Sequence, residues 1–340
     1  MEKVRLGRTN LVVTRLGWGG IPIQRVSHDD GVSVIRSVIA TGVDLLDTAR
    51  GYTTSEERIG AAMEGADRRI VISTKSPLRT ADIYNDVKVS LERLRVKKID
   101  IYNCHGVSKA EDYEKVMGPG GAYEGLQRAR DEGLIDYLGL TSHSLDMLER
   151  VIEEGHFDVI MTCYSFLEPD AATRIFPKAR EKDIGVLAMK TFSGGVIEKA
   201  APALKYVLSA PGIVPIPGSE TLEKVRENWA VFSGDLTLTP TDMAYIEAVR
   251  QEYNQAFCRR CDYCQPCSEN IHIQSVLGLK SFYKRFGAKM VEVGWIKDMV
   301  AKARNCTECG TCLPRCPYQL PIPDLIKENL AWLDGQQEKG

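Results

Sequence analysis

Short apolar runs alternate with helical patterns over most of this 340-residue chain, and this alternation limits the possible folds more than any other feature. After a first strand that ends near 16–20, apolar runs follow near 43–47, 70–74, 99–104, 135–141, 157–164, 184–190 and 212–216. Helical patterns lie near 30–41, 55–64, 80–95, 122–132, 144–154, 170–182, 201–209 and 221–231. This succession predicts an α/β fold, a parallel (β/α)8 TIM barrel with right-handed crossovers. An open doubly wound sheet is the alternative, but the sequence has no G-x-G-x-x-G turn between its first strand and first helix.

Four polar side chains lie at the ends of three successive predicted strands. Asp47 and Tyr52 follow the second strand, Lys75 ends the third and His105 follows the fourth. Barrels of this kind build active sites at the carboxyl ends of their strands, so these side chains are expected to meet. Taken singly, each residue is better explained by packing or solvation than by catalysis. Their occurrence on successive strand ends favours a catalytic group.

These residue types suit a proton donor. Free tyrosine has a pKa of about 10, which is high for proton transfer near neutral pH. An adjacent ammonium, here Lys75, favours the phenolate of Tyr52, and the Asp47 carboxylate keeps that ammonium charged and oriented. The imidazole of His105 can hydrogen-bond a substrate carbonyl and fix its direction. Such a site suits protonation of an oxygen as a hydride reaches the carbon, or the reverse reaction.

Several segments in the first 235 or so residues carry a family resemblance. They are DTARGY at 47–52, STK at 73–75, DIYNCH at 100–105, and IPGS at 216–219 followed by Glu227 and Asn228. In these segments the sequence resembles the aldo-keto reductase family. The resemblance implies that Tyr52 is the proton donor, that Lys75 and Asp47 tune it, and that His105 orients the carbonyl.

The resemblance also implies positions that would hold a nicotinamide. Gly19 and Gly20 end the first strand and could let a cofactor approach the backbone closely, although a simple turn explains them as well. Ser142 matches a family position that holds the carboxamide, while His143 replaces the usual Asn and Met161 replaces a common Gln.

Tyr164 follows the sixth strand. It is expected either to contact the nicotinamide ring or substrate, or to pack at the barrel rim.

The phosphate and adenosine end of the cofactor is assigned to later strand ends. Lys190 stands in a glycine-rich loop at 189–195 that could follow a pyrophosphate, and Gly218 and Ser219 enter a helix whose free N–H groups could bind phosphate. The family often has Lys at the Gly218 position to pair with the 2′-phosphate of NADP. Lys224 could compensate for it, whereas Glu220 would repel that phosphate. Glu227 and Asn228 match positions that contact adenine, and the preference between NADP and NAD stays open.

Length and composition predict two domains. A barrel-like domain is expected over 1–254, preceded by a small hairpin at 4–13, and a helical domain over 255–340. The net charge of −2 gives no electrostatic reason to expect nucleic acid or an anionic membrane as partner. The chain starts with Met-Glu-Lys-Val-Arg, shows no apolar signal core, and has no apolar run near the roughly 18 residues of a membrane span. A cytoplasmic protein is therefore expected.

Eight of the ten cysteines fall between 258 and 316, which indicates metal ligands rather than disulfides. The run Cys306-x2-Cys309-x2-Cys312-x3-Cys316-Pro is the bacterial ferredoxin pattern, in which the fourth cysteine ligates the other cluster of a pair. The upstream run has a shorter last spacing and no Pro. The expected sets are Cys258, Cys261, Cys264 and Cys316 for one [4Fe-4S] cluster, and Cys267, Cys306, Cys309 and Cys312 for the other.

Zinc is the alternative metal, since C-x2-C pairs also build zinc ribbons. The segment 268–305 between the two runs has helical patterns and resembles helical ferredoxin modules.

Together these features predict an oxidoreductase that interconverts a small-molecule carbonyl and an alcohol, using NADP or NAD and electron transfer through two [4Fe-4S] clusters. A ferredoxin or flavoprotein is the expected electron partner, because clusters move one electron at a time. Two alternatives stay open. One is a nicotinamide-independent redox enzyme linked to the clusters or to a flavin, and the other is a non-catalytic barrel with a structural metal-binding docking module.

Overall fold

A β-hairpin begins the chain, of which the computed structural model describes residues 2–337. Strands β1 (Lys3–Arg5) and β2 (Val12–Thr14) pair antiparallel, which confirms the predicted hairpin. The turn between them packs very closely on a barrel strand. At Gly7, where φ is +53°, an added Cβ would lie 2.2 Å from the backbone nitrogen of Gly185. Only glycine fits there.

Eight parallel strands follow and pair in chain order. They are β3 (Trp18–Gly19), β4 (Leu45–Asp47), β5 (Val71–Ser76), β6 (Ile99–Cys104), β7 (Ile135–Thr141), β8 (Val159–Cys163), β9 (Gly185–Met189) and β10 (Val214–Pro215). The first and last strand regions are joined by backbone hydrogen bonds from Gly17 N to Pro215 O (2.9 Å) and from Gly19 N to Pro217 O (3.1 Å). The predicted parallel barrel is confirmed.

Helices surround these strands. They are α1 (His28–Thr41), α2 (Ser55–Met63), α3 (Ile83–Leu94), α4 (Ala110–Met117), α5 (Ala122–Asp131), α6 (Leu145–Glu154), α7 (Ala171–Arg174), α8 (Phe176–Glu181), α9 (Ala200–Leu208) and α10 (Leu222–Ser233). Helix α4 was not predicted from the sequence. It also predicted one helix at 170–182, which the structure divides at Ile175. Pro177 explains the division, because proline lacks an N–H and fits the first turn of a new helix.

Inside the barrel, apolar side chains lie towards the amino ends of the strands and polar side chains lie at the carboxyl ends. Leu45, Val71, Ile101, Val159 and Leu187 form part of the buried interior cluster, together with side chains of the N-terminal hairpin. Side chains in a strand alternate between faces, so the residues two positions further along each strand point the same way. In three neighbouring strands those next positions hold Asp47, Ser73 and Asn103. The polar residues therefore gather at the carboxyl ends of the strands.

The chain packs as two compact units. The first comprises Met1–Phe192 and Lys199–Asp242, and the second comprises Ser193–Glu198 and Met243–Gly340. Most of helix α11 (Pro240–Tyr253) therefore belongs to the second unit by its packing, although the sequence analysis placed it before the boundary at 254/255. Within the second unit, the Oγ of Ser281 donates to the carbonyl of Gly194 at 2.8 Å.

The second unit is helical, as the pattern at 268–305 indicated. Its further helices are α12 (Ile273–Leu277), α13 (Leu279–Phe286), α14 (Gly294–Ala303) and α15 (Ile322–Gln337). Ile273, Val276, Met299, Ile322 and Leu333 are among its core residues. Within residues 2–337, no helix combines the length and apolar character needed to cross a membrane.

Candidate active site and cysteine cavities

A fully buried ion pair lies at the carboxyl ends of β4 and β5. The Nζ of Lys75 donates to Oδ2 of Asp47 at 2.6 Å and to the backbone carbonyl of Thr48 at 2.7 Å, and it lies over the ring of Tyr52. Burial acts to lower the pKa of Lys75, but Asp47 and Tyr52 outweigh it and raise the pKa. An ammonium has three N–H donors, and Asp47 and Thr48 accept two of them.

Tyr52 stands in front of this pair and is partly exposed. The Nζ of Lys75 lies 5.1 Å from its ring centroid. Burial raises the pKa of Tyr52, the charge of Lys75 opposes that rise, and the net pKa lies above the ordinary value. The sequence analysis expected the ammonium to favour the phenolate, and the structure shows that burial outweighs it. Tyr52 is therefore a neutral phenol near pH 7 and has a proton to donate.

His105 lies beside Tyr52, with ring centroids 6.0 Å apart and an interplanar angle of 84°. Burial and the positive charges of Lys75, Arg79 and Lys190 lower the pKa of His105 to about 3. The imidazole is therefore neutral through the physiological range and keeps one N–H that can donate to a substrate oxygen. The structure thus brings together all four predicted residues, Asp47, Tyr52, Lys75 and His105.

Further polar residues support the ion pair, and the sequence analysis did not single them out. The Oγ of Ser73 donates to Oδ1 of Asp47 at 2.9 Å, and Nδ2 of Asn103 donates to that Oγ at 3.1 Å. Both side chains are fully buried. A signal was present in the sequence, because Ser73 and Asn103 are polar residues two positions after the apolar Val71 and Ile101 in strands that are otherwise buried.

Arg50 fixes the loop after β4, which contains Tyr52, through a backbone hydrogen bond and two ion pairs. Its backbone N–H donates to the carbonyl of Lys75 at 2.9 Å. Its guanidinium lies 3.3 Å from the carboxylates of both Glu56 and Asp86. Glu56 is almost completely buried and accepts a second hydrogen bond, from Oγ1 of Thr74 at 2.8 Å. These bonds link the loop after β4 to α2, α3 and β5.

The predicted cofactor glycines have close neighbours within the protein. An added Cβ at Gly19 would lie 2.7 Å from the carbonyl oxygen of Ile216, and one at Gly20 would lie 2.6 Å from Oγ of Ser55. At Gly218 a Cβ would lie 2.5 Å from the ring of Pro22. Packing inside the barrel therefore explains why these three positions are glycine, whether or not a cofactor approaches them.

Of the positions assigned to the nicotinamide amide, Ser142 and Met161 are buried and His143 is partly exposed. Ser142 is fully buried, and its hydroxyl pairs with the Oγ of Ser108 (3.1 Å) and accepts from the backbone N–H of Ser144 (3.0 Å). The backbone N–H of His143 donates to the same Ser108 hydroxyl at 3.0 Å. Met161 belongs to the apolar interior of the barrel.

Tyr164 is buried by aromatic packing. Its ring packs on Phe176, with centroids 4.9 Å apart, and on Tyr206 at 5.7 Å. This arrangement matches the packing alternative that the sequence analysis gave for Tyr164.

The positions assigned to phosphate and adenosine lie around the start of α10. Nδ2 of Asn228 donates to Oγ of the buried Ser219 at 3.0 Å. Nζ of Lys224 lies 2.5 Å from Oε1 of Glu220, and Arg25 lies 3.9 Å from the same oxygen. Glu220 thus already neutralises the lysine that was assigned to the 2′-phosphate.

Glu227 is exposed on α10. Lys190 follows β9 with a left-handed φ of 65° and contributes to the positive field at His105.

The eight clustered cysteines line two cavities in the second unit. One cavity is lined by Cys258, Cys261, Cys264 and Cys316. The other is lined by Cys267, Cys306, Cys309 and Cys312, with Cys264 also at its wall. Cys316 is thus on the cavity of the upstream run, and Cys267 on that of the downstream run.

The cysteines that affect one another's pKa values fall into the same two groups. Burial raises the pKa of Cys258 to about 11, and the adjacent Cys261 and Cys316 contribute to the rise. Burial also raises the pKa of Cys312, with contributions from Cys306, Cys309 and Cys267. Two sulfurs have hydrogen-bond partners as well, since the N–H of Arg260 donates to Sγ of Cys258 at 3.4 Å and Cys309 pairs with Oγ1 of Thr311 at 3.4 Å.

Comparison with protein families identifies both units. The model of the aldo/keto reductase family matches residues 14–201, and that of the 4Fe-4S dicluster domain matches residues 257–320. The first match covers more than half of the chain, so this protein belongs to the aldo/keto reductase family and carries a C-terminal 4Fe-4S dicluster domain. It is an oxidoreductase.

Curated relatives with known activities match the barrel. D-threo-aldose 1-dehydrogenase of Pseudomonas is 27% identical over 56% of this chain and 70% of its own length. L-galactose dehydrogenase of Arabidopsis thaliana is 24% identical over 59% of this chain and 69% of its own. An NADH-specific methylglyoxal reductase of Escherichia coli is 25% identical over 58% of this chain and 69% of its own.

Solved structures show the same barrel fold. The holo form of an aldo-keto reductase from Bacillus halodurans superposes with a TM-score of 0.62 at 22% identity, covering 73% of this chain and 96% of that one. An aldo-keto reductase from Klebsiella pneumoniae in complex with NADPH gives a TM-score of 0.60 at 20% identity, covering 73% and 94%.

Proposed function

We propose that this protein interconverts a small-molecule carbonyl and an alcohol, with Tyr52 as the proton donor. The observation that carries the proposal is the position of Tyr52 beside Lys75, whose Nζ is held by Asp47 and the Thr48 carbonyl and lies 5.1 Å from the centroid of the Tyr52 ring. An ammonium in this position would stabilise the phenolate that remains once Tyr52 gives up its proton. A substrate carbonyl oxygen is a suitable acceptor for that proton.

The remaining roles follow from the charges of the groups. Neutral Tyr52 protonates the carbonyl oxygen during reduction, and Lys75 stabilises the phenolate that remains. Neutral His105 donates a hydrogen bond to the same oxygen and fixes its direction. Asp47 stays charged and keeps the ammonium in place. In alcohol oxidation the same groups act in reverse order.

A nicotinamide nucleotide, when bound, supplies or accepts the hydride. Helix α10 has twelve residues, and the free N–H groups at its start would hold phosphate close to Ser219. Lys190 would add positive charge, whereas Lys224 is paired with Glu220. Asn228 and Glu227 would contact adenine, and Gly19, Gly20 and Gly218 would lie beside the bound cofactor. The nicotinamide end has fewer polar groups available, because Met161 is apolar and the Ser142 hydroxyl is already bonded.

We further propose two [4Fe-4S] clusters with crossed ligands, namely Cys258, Cys261, Cys264 and Cys316 for one and Cys267, Cys306, Cys309 and Cys312 for the other. The two cysteine-lined cavities support this assignment. The two cavities together hold eight cysteines, which is the number of thiolates that two cubane clusters require. The clusters would exchange single electrons with a ferredoxin or flavoprotein.

A second candidate is a cluster-fed redox reaction at the Tyr52 site without a nicotinamide. The observation in its favour is the combination of buried Met161 and engaged Ser142 at the amide-binding positions.

Anaerobic, iron-replete protein tests both candidates. NADH and NADPH are titrated by fluorescence quenching, and then oxidation of each is followed with methylglyoxal and with aldoses, the substrate types named for the relatives. The proposal expects saturable binding and carbonyl-dependent oxidation that Tyr52→Phe abolishes. Absence of binding at millimolar nucleotide, with carbonyl reduction by a reduced ferredoxin, would replace it with the second candidate.

A further inference from the structure

Asn103 is a fully buried amide inside the barrel, two residues before His105. Its Nδ2 donates to Oγ of Ser73 at 3.1 Å and to the backbone carbonyl of Thr74 at 2.9 Å. A backbone carbonyl only accepts hydrogen bonds, so the side of the amide that faces Thr74 must be the NH2 group. The orientation of the Asn103 amide is therefore determined by its neighbours.

The Oδ1 side of the Asn103 amide packs against Gly139, where a side chain would clash with it. Asn103 and Gly139 are directly paired across β6 and β7. A Cβ at position 139 would lie 2.0 Å from Oδ1 of Asn103, far inside van der Waals contact. That Oδ1 has no hydrogen-bond partner among residues 2–337. Because Gly139 has no side chain, the Asn103 amide has room to adopt the position from which its Nδ2 donates to Ser73.

Ser73 connects the Asn103 amide to the ion pair of Asp47 and Lys75 through hydrogen bonds. A serine hydroxyl has one proton, and its oxygen already accepts from Asn103, so its proton is available to donate to Oδ1 of Asp47 at 2.9 Å. Oδ1 of Asp47 is thereby occupied, and Oδ2 remains for Lys75 at 2.6 Å. Each bond of the series has one permitted direction.

We propose that Asn103 and Ser73 are positioning residues that direct the ammonium of Lys75 towards the Tyr52 phenol, and that Gly139 makes this possible. The inference rests on the role proposed above for Tyr52 as proton donor. If Asp47 loses the hydrogen bond from Ser73, its carboxylate holds its remaining donor more strongly and draws Lys75 away from the phenol. The proton of Tyr52 then becomes harder to remove.

Three substitutions interrupt the series at different points. Asn103→Leu removes the amide, Ser73→Ala removes one oxygen, and Gly139→Ala displaces Asn103 without removing any polar group. Ser73→Thr keeps the hydroxyl and is the conservative rescue. Gly294→Ala is the control for Gly139→Ala, because a Cβ at Gly294 meets nothing within 4 Å.

The readout is the titration of Tyr52 itself, measured in the iron-replete full chain by NMR of 13C-labelled tyrosine ring carbons. The protein has 13 tyrosines, and the Tyr52 signal is the one that disappears in Tyr52→Phe. The three interrupting variants are expected to shift the onset of its titration upward by about 0.5 pH unit or more, whereas Ser73→Thr and Gly294→Ala stay within about 0.2 unit of the parent. In any variant with carbonyl reductase activity, the basic limb of the pH profile is expected to move in the same direction.

An unchanged Tyr52 titration in folded Ser73→Ala protein overturns the inference, and that substitution is small enough to retain the fold if Asn103→Leu does not. An equal shift in Ser73→Thr and Ser73→Ala also overturns it, since the hydroxyl would then be irrelevant. The NMR readout does not need turnover. A shifted titration in a protein that reduces no carbonyl would therefore reject the proposed function and leave the hydrogen-bond series standing.

Discussion

The Nζ of Lys75 lies 2.6 Å from Oδ2 of Asp47, and the two side chains are only 2% and 4% exposed. Removing one member of such a pair leaves an unpaired charge in the barrel, which costs about 3–5 kcal/mol of stability. Asp47→Leu and Lys75→Met are each expected to lower the unfolding temperature of the barrel clearly. The double variant Asp47→Leu/Lys75→Met is expected to be more stable than the sum of the two losses predicts. Calorimetry of the barrel transition measures this, and additive losses would show that the pair is not coupled.

Tyr52→Phe tests the proton donor. The substitution removes one oxygen, so turnover is expected to fall by about 10²-fold or more while substrate affinity changes little. Tyr102→Phe is a matched control, because Tyr102 is fully buried on β6 and its hydroxyl pairs with Ser90 at 3.2 Å, outside the site. Steady-state kinetics of both variants decide the point. A near-parental rate for Tyr52→Phe would remove Tyr52 from the mechanism.

His105 predicts a pH dependence of stability. Burial and the charges of Lys75, Arg79 and Lys190 lower its pKa to about 3, from the ordinary histidine value of about 6.5. Between these values the unfolded chain binds a proton that the folded protein does not, so stability falls as pH decreases from about 6.5 towards 3, by at most about 1.4 kcal/mol per pH unit. His105→Gln is expected to make denaturant unfolding of the barrel less dependent on pH in this window. His28→Gln, at an exposed position on α1, is the control substitution, and parallel curves for parent and His105→Gln would contradict the prediction.

The strand ends could be predicted from sequence because each follows a short, mainly apolar run bounded by polar residues. That is why Lys75 and His105 were found and why the structure brings them together. The glycines at 19, 20 and 218 were assigned to cofactor approach, whereas close packing against Ile216, Ser55 and Pro22 already requires them. Such packing is set by strands that are distant in sequence, so no local pattern reveals it.

Two other features also depend on tertiary structure. Ser73 and Asn103 act on Asp47 only because the register of β4, β5 and β6 places them side by side. The pKa of Tyr52 depends on how deeply the fold buries its phenol, and residue identity alone does not give that burial. Local sequence did contain the reason for the division of the 170–182 helix, since Pro177 interrupts it.

Glu220→Gln tests nucleotide preference. Glu220 neutralises Lys224 at 2.5 Å and faces Arg25 at 3.9 Å, so it opposes binding of a 2′-phosphate and occupies the cations that would attract one. Removing its charge is expected to increase the affinity for NADPH several-fold and to leave that for NADH nearly unchanged. Fluorescence titration of both nucleotides measures the ratio. Glu223→Gln, at an exposed position in the first turn of α10, is the control, and an equal change in both variants would point to a general charge effect.

The crossed cluster ligands give the last prediction. Cys316 is close in sequence to Cys312 but lines the cavity of Cys258, Cys261 and Cys264. Each cluster would then join two distant segments, so its loss loosens the segment to which it is bound. Cys316→Ala is expected to increase amide hydrogen exchange at 258–264 and to spare 306–312, and Cys267→Ala to do the reverse.

Iron and sulfide analysis accompanies this exchange measurement. The anaerobic parent is expected to contain about eight of each per chain, and each variant about half as many, as two cubanes with separate ligand sets require. If Cys316→Ala instead loosens 306–312, each cysteine run binds its own cluster and the crossed assignment is wrong. Stoichiometric zinc without sulfide would reject both arrangements. The two single-cysteine variants serve as controls for each other, because each removes one sulfur and they differ only in the cavity that the sulfur lines.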